Sequence, residues 1–251
     1  MSENTSPSTG GKNTLLIVIL VAMAFFAGYL WNKVNTLEKN AKGTSAQNFQ
    51  DNNKQNTQQN TPQNPEVVDY KVEKPSASED NWRGSKNARY IWVEYSDLEC
   101  PFCKKIHPDL IKVMSDYKDN LAWVYRHFPL PGHPKAPKSA EAVECARVQK
   151  GNDGFWQMTD LIFEKMPDVE ISDFPDLATS IGLNKQTFSS CLDSAKTKSR
   201  VDAQAQEGGK AGVRATPTGI IFDVKTGKSK TFEGALPYES LKREIEAFMK
   251  G

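Results

Sequence analysis

The chain has 251 residues, with 32 Lys and Arg against 31 Asp and Glu and a formal net charge of +1. So balanced a charge gives no ground for a nucleic-acid partner or for any bulk electrostatic one. Hydropathy, by contrast, is uneven along the chain and divides it.

Residues 1–13 are a short polar tail. Residues 14–31 (TLLIVILVAMAFFAGYLW) carry no charge, and the run sits at the lower end of the ~17–25 residues of a membrane-spanning helix. Tyr29 and Trp31 suit a membrane interface. We expect an uncleaved transmembrane anchor. The alternative is a cleaved signal peptide with Ala22-Met23-Ala24 as its small-x-small site, but the run exceeds an ordinary h-region. Lys12 precedes the run, while Lys33, Lys39 and Lys42 follow it. That count mildly favours a cytoplasmic C-terminal part. The redox chemistry below points to an extracytoplasmic one and weighs more.

Residues 32–81 are rich in Asn, Gln, Ser, Thr and Lys. Their apolar groups are too sparse to offset the entropy of ordering, so a disordered linker is expected. At ~5–6 Å × √n it has a mean reach of roughly 40 Å. The domain beyond it, 82–251, could stand off a membrane and still meet partners there. It is large enough for its own core and holds Cys100, Cys103, Cys145 and Cys191. An even count fits two disulfides in an oxidising compartment, and it fits four buried or metal-bound thiols as well.

Within the domain, residues 90–95 (YIWVEY) read as a buried strand and residues 104–114 as an amphipathic helix. Cys100-Pro101-Phe102-Cys103 lies at their junction. Pro101 falls at the first helical position, where its missing N–H costs nothing. Cys100 falls near the N-cap, facing unpaired N–H groups and the positive end of the helix dipole, which lowers a thiol pKa. Lys104 and Lys105 act in the same sense, and Glu99 opposes them. Cys100 is therefore the candidate nucleophile and Cys103, one turn in, the resolving thiol.

Residues 121–128 are a second strand, broken by Pro129, Pro131, Gly132 and Pro134. A helical pattern follows over about 136–212, carried by residues 140–146 and 155–163 and then by shorter pieces. Residues 218–223 read as a strand, Thr226-Gly227 as a turn, and 229–232 as the returning arm of a hairpin. Leu241, Ile245, Phe248 and Met249 mark a final amphipathic helix. The order is β-α-β, a helical insertion, then β-β-α.

That α/β order, with Cys-x-x-Cys at the first strand–helix junction, resembles the thioredoxin fold, and the helical insertion resembles its DsbA-like branch. The similarity covers nearly all of 82–251. It rests on EYSDLECPFC at 94–103, Phe128-Pro129-Leu130, Cys145-Ala146, Gly154-Phe155-Trp156, Cys191-Leu192-Asp193 and Thr216-Pro217-Thr218. The resemblance implies a redox-active Cys100–Cys103 disulfide and a cis Thr216–Pro217 bond beside it. It implies a buried acid at Glu94 able to relay the Cys103 proton, and a second, structural disulfide between Cys145 and Cys191. From the residues alone, two buried free thiols fit that last pair nearly as well, and Glu94 fits a solvent-facing position. Strongly oxidising members of the branch carry His where Phe102 stands here, so the direction of electron flow stays open.

The three histidines offer no complete metal site. Cys100-x-x-Cys103-x-x-x-His107 begins a zinc-like spacing without a fourth ligand, and His107, His127 and His133 are expected to be structural. The resulting expectation is a membrane-tethered, extracytoplasmic thiol–disulfide oxidase of secreted proteins that needs no bound cofactor. Its partners would be unfolded secreted proteins with free cysteines and a quinone-linked membrane reoxidase, DsbB-like or vitamin K epoxide reductase-like (VKOR-like). The alternatives are a reductase or isomerase of the same fold, or a metal-binding module using the same cysteines.

Overall fold

Apolar runs with β-branched and aromatic residues build the centre of the molecule. The structure, a computed structural model, describes residues 72–251. The tail, the anchor expected over 14–31 and the linker up to 71 lie outside the described residues. Among the described residues, no helix is long and apolar enough to cross a membrane.

Five strands among the described residues form one sheet: β1 (Asn81–Arg83), β2 (Tyr90–Ser96), β3 (Leu121–His127), β4 (Thr218–Asp223) and β5 (Ser229–Glu233). Their order is β1-β3-β2-β4-β5. Only β2 and β3 are parallel, and the other pairings are antiparallel. A parallel pair needs a crossover, and helix α1 (Pro101–Tyr117) supplies it. Both central strands are buried along their whole length, as a sheet covered on two faces requires.

Alternation along the strands sorts the core into two layers. Tyr90 and Trp92 of β2 join Leu121, Trp123 and Tyr125 of β3 in the larger cluster. Ile91, Val93, Tyr95, Ala122 and Val124 face the other way with Ile220. Glu94 is thereby assigned the Trp92 face, the one that α1 covers. The insertion comprises α2 (Ala136–Lys165), α3 (Phe174–Ser180), α4 (Lys185–Asp193) and α5 (Lys198–Ala211). Helix α6 (Tyr238–Lys250) closes the order and buries Leu241 and Ile245.

In keeping with the two helical pieces at 140–146 and 155–163, α2 is two stretches that meet at a kink, with non-helical backbone at Lys150 and Gly151. Gly151 has φ +61°, a value glycine reaches without steric cost. Two features depart from the sequence reading. The first is β1, three residues long and too short for any alternation to register. The second is the segment 72–81, which is expected in the linker yet packs on the domain. Asp80 and Asn81 are buried. Arg126 of β3 reaches back to pair with Asp80 at 3.0 Å and donates to the Glu73 carbonyl at 3.0 Å. The ordering of that segment comes from charge pairing with a buried arginine, which composition does not reveal.

Candidate active site

Strand β2 ends at Ser96, and a four-residue turn leads into α1. The Cys100 N–H donates to the Asp97 carbonyl at 3.1 Å. Cys100 is the extended N-cap (φ −76°, ψ 123°) and Pro101 opens the helix. The two thiols are not bonded to each other, so this is the dithiol form of the pair. Cys100 is 3 % exposed and Cys103 fully buried, while Phe102 between them stands 59 % exposed. The Asp97 N–H points at the Cys103 sulfur, 3.5 Å away.

The two thiols are driven apart in acidity. The hydrogen bond from Cys103 is the main cause that lowers the Cys100 pKa to about 5. Burial opposes this, and Thr216 and the Phe102 and Cys103 backbone add to the lowering. Burial first, then the bond to Cys100 and the Glu94 charge, push Cys103 well above its ordinary value. Glu94, 2 % exposed, is raised to about 7 by burial, with Ser96 and Trp123 pulling weakly the other way. Its Oε2 has no hydrogen-bond partner. A buried carboxyl titrating near 7 therefore acts by its charge on the Cys103 thiol.

The second wall is the 215–218 loop. The Thr216–Pro217 bond is cis, and the Cys100 thiol donates to the Thr216 carbonyl at 3.4 Å. The Pro217 carbonyl accepts from Gly234 N–H at 2.9 Å, tying the loop to the end of β5. At the root of β4, Gly219 lies under the Trp92 ring, 2.0 Å from where a Cβ would stand. No other residue leaves Trp92 room to stack on Phe232, 5.2 Å between centroids.

The charges near the turn do not act as their sequence positions suggested. The Lys104 ammonium is directed at the carbonyls of Glu164 and Met166. Glu99 accepts from the N–H groups of Lys135 and Ala136 at 2.5 and 2.9 Å, capping α2 from across the chain. Asp97, absent from the sequence reading as a site residue, is buried. Its Oδ2 accepts from Leu130 N–H at 2.8 Å and pairs with His133 Nδ1 at 2.7 Å. The signal available was a carboxylate three positions before Cys100 and a lone His in a Pro-rich loop, which no periodicity connects.

His107 is packed between Trp123 and Phe163, with its Nε2 2.8 Å from Asp160, and His127 is buried 3.2 Å from Glu144. Among the described residues, no group of three or more His, Cys, Asp or Glu side chains is placed to hold a metal. Cys145 of α2 and Cys191 of α4 are joined by a disulfide inside the insertion.

A four-helix insertion in a sheet that presents Cys-x-x-Cys at a helix start beside a cis-proline loop defines a class: thioredoxin-fold proteins of the dithiol type. Comparison with known proteins agrees. The thioredoxin family profile matches residues 76–246. The structure of DsbA2 from Pseudomonas aeruginosa superposes with a TM-score of 0.60 at 30 % identity, covering 70 % of this chain and 97 % of that one. BdbD from Bacillus subtilis gives 0.63 at 25 % identity, covering 74 % and 99 %. This chain belongs to the thioredoxin family, in its DsbA-like branch. It is also 34 % identical over 187 residues to a protein named Na(+)/H(+) antiporter NhaA 1 of Mycolicibacterium gilvum. The match takes in 73 % of this chain but spans only 29 % of the antiporter.

Proposed function

We propose that the chain is a membrane-tethered, extracytoplasmic thiol–disulfide oxidoreductase that oxidises cysteine pairs of secreted proteins. The observation that carries this reading is the split in acidity across the pair: Cys100 near 5, Cys103 held protonated. A stabilised thiolate favours the dithiol form, and a disulfide whose reduction yields a stable thiolate is a strong oxidant.

The exchange runs in two steps. A substrate thiolate attacks the Cys100 sulfur of the Cys100–Cys103 disulfide. The S–S bond breaks, and Cys103 leaves with the electron pair and takes up a proton, for which Glu94, buried and close enough for its charge to act on Cys103, is the proposed source. The second substrate thiolate then attacks the substrate sulfur of the mixed disulfide and expels Cys100 as a thiolate. Two electrons pass from substrate to the pair, and a quinone-linked membrane oxidase, DsbB-like or vitamin K epoxide reductase-like, would remove them. Pro101 starts the helix, exposed Phe102 offers an apolar contact to an unfolded chain, and Thr216 and Pro217 form the opposite wall. No bound cofactor enters either step.

The uncharged run over 14–31 supports the membrane tether. The Cys145–Cys191 disulfide supports an oxidising compartment, where such bonds persist. One observation favours the rival direction, reduction or isomerisation: the Phe102 side chain places neither charge nor hydrogen bond between the cysteines. A redox titration of the pair in glutathione buffers decides. A potential well above the thioredoxin value of about −270 mV is expected, and one near it would reject the oxidase.

A further inference from the structure

Phe102 leaves the dipeptide between the cysteines without a cation, two nearby lysines are held elsewhere, and Lys105 is exposed to solvent. Lys104 is turned toward the carbonyls of Glu164 and Met166. The Lys135 ammonium is bound by the carbonyls of Pro167 and Val169 at 3.1 and 2.9 Å, and by Glu170. What the turn does hold is His133, carried in on the Pro-rich loop after β3. Asp97 ties it there. The backbone of Asp97 contacts both thiol residues, its carbonyl accepting from Cys100 N–H and its N–H facing the Cys103 sulfur. Its carboxylate binds Glu99 N–H at 2.7 Å, Leu130 N–H and His133 Nδ1. Asp97 is fully buried in its side chain, and His133 is 25 % exposed. A buried carboxylate of this kind orients one face of an imidazole and favours its charged form.

We propose that His133, held by Asp97, is a positioning residue that supplies the counter-charge of the Cys100 thiolate, the part Phe102 cannot play. This rests on the exchange function proposed above and adds to it the group that tunes the pair. Asp97 binds the imidazole directly, and the charges of Cys100 and Glu99 act on it from nearby. Burial pushes the His133 pKa down. Asp97 more than offsets this, Cys100 and Glu99 add to the same side, and the net shift is upward. Influence between two titrating groups is reciprocal: a thiolate that holds the proton on His133 is itself held ionised by that proton. Glu99 tempers the effect little, because its carboxylate is occupied by the first N–H groups of α2. Reduction of the disulfide then brings the imidazolium a new partner, and oxidation removes it.

The test uses the full chain and two readouts. The first follows the imidazole of wild-type His133 by NMR against pH, in the oxidised and the dithiol forms. Its pKa should be higher in the dithiol form, and identical values in the two forms would overturn the proposal. A His133 that only braced the loop would show no such dependence. The second follows thiolate absorbance at 240 nm in His133→Gln, which keeps a hydrogen bond to Asp97 but no charge. The Cys100 midpoint should rise by about half a unit, roughly threefold in the ionisation constant. An unchanged midpoint would equally overturn it. The wild-type potential against glutathione tests oxidase against reductase, whereas the difference between variant and wild type tests His133 whichever direction the pair runs.

Discussion

The Cys100 sulfur lies 3.4 Å from the carbonyl oxygen of Thr216, a residue 116 positions further along the chain. The nucleophile and the cis-proline loop are thus one site, and a sulfur bonded to Cys100 must lie along residues 216–217. In the exchange proposed above, the buried Cys103 clears such an adduct. Cys103→Ser should therefore accumulate mixed disulfides at Cys100 with unfolded thiol proteins, detectable as dithiothreitol-sensitive bands in non-reducing gels. Cys100→Ser should form none. Equal trapping by both variants would reassign the nucleophile.

The low pKa of Cys100 carries a pH signature. The folded dithiol form binds fewer protons than its unfolded chain between about 5 and the ordinary thiol value near 8.5. A group depressed on folding contributes stability that is complete above the unfolded pKa and lost as pH falls through the folded one. Through Cys100 the stability of the dithiol form relative to the disulfide form should rise from about pH 5 to about pH 8.5; above that the Cys103 thiol, raised by folding, makes it fall. Denaturant titrations of both forms across that window test it, and a flat difference would contradict the thiolate.

Glu94 titrates with the opposite sign. Its folded pKa of about 7 exceeds the ordinary 4.5, so its stability contribution is full below 4.5 and lost as pH rises through 7. The disulfide form isolates this group because no active-site thiol titrates there. In that form Glu94→Gln should abolish the loss and be more stable than wild type at pH 8, by at most about 3 kcal/mol from a shift of this size. If Glu94 also delivers the Cys103 proton, mixed-disulfide turnover in the same variant should slow by roughly 10²-fold.

What was legible in the chain follows from how local each signal is. Tyr90 to Tyr95, the Cys-x-x-Cys and the helix after it are contiguous, and their apolar pattern defines strand, turn and helix within one window. The face of Glu94 was not legible, because β2 is buried on both sides and neighbours Val93 and Tyr95 are as apolar as the Trp92 face. Asp97 and Glu99 act on backbone N–H groups 33 to 37 positions away. Carboxylates that cap a distant loop leave no periodic trace, so they read as ordinary charges beside the cysteines. The segment 72–80 misled for the same reason: its partner is Arg126, far along the chain.

Gly219 tests whether the cis-proline loop depends on the packing beneath it. Gly219→Val would place a Cβ 2.0 Å from the Trp92 ring, and the ring cannot retreat without leaving Phe232. Overpacking of this kind costs about 1–3 kcal/mol or more. Because β4 begins one residue after Pro217, the same change should also alter the thiolate absorbance of Cys100. A stable variant with an unshifted thiol titration would show that the loop is positioned independently.

The Cys145–Cys191 bond should matter for stability and not for the exchange chemistry. It closes a loop of 46 residues, for which chain entropy sets a contribution of about 4 kcal/mol. Replacing both cysteines by alanine should lower the denaturation free energy by up to that amount and leave the Cys100 titration in place. A shifted titration would tie the insertion to the site.

Phe102 decides how far the pair leans toward oxidation. Phe102 is 59 % exposed, so Phe102→His should fold as wild type does. A second imidazolium beside the Cys100 thiolate adds attraction that is absent from the disulfide form. It therefore favours the dithiol form and makes the disulfide the stronger oxidant. Every 30 mV of potential corresponds to about 1.4 kcal/mol for this two-electron couple. A tenfold drop in the thiol ionisation midpoint, one pH unit, should thus appear as a rise of about 30 mV in glutathione buffers. If the variant titrates and equilibrates as wild type does, the charge already present at the site saturates the thiolate, and Phe102 is free to serve substrate contact alone.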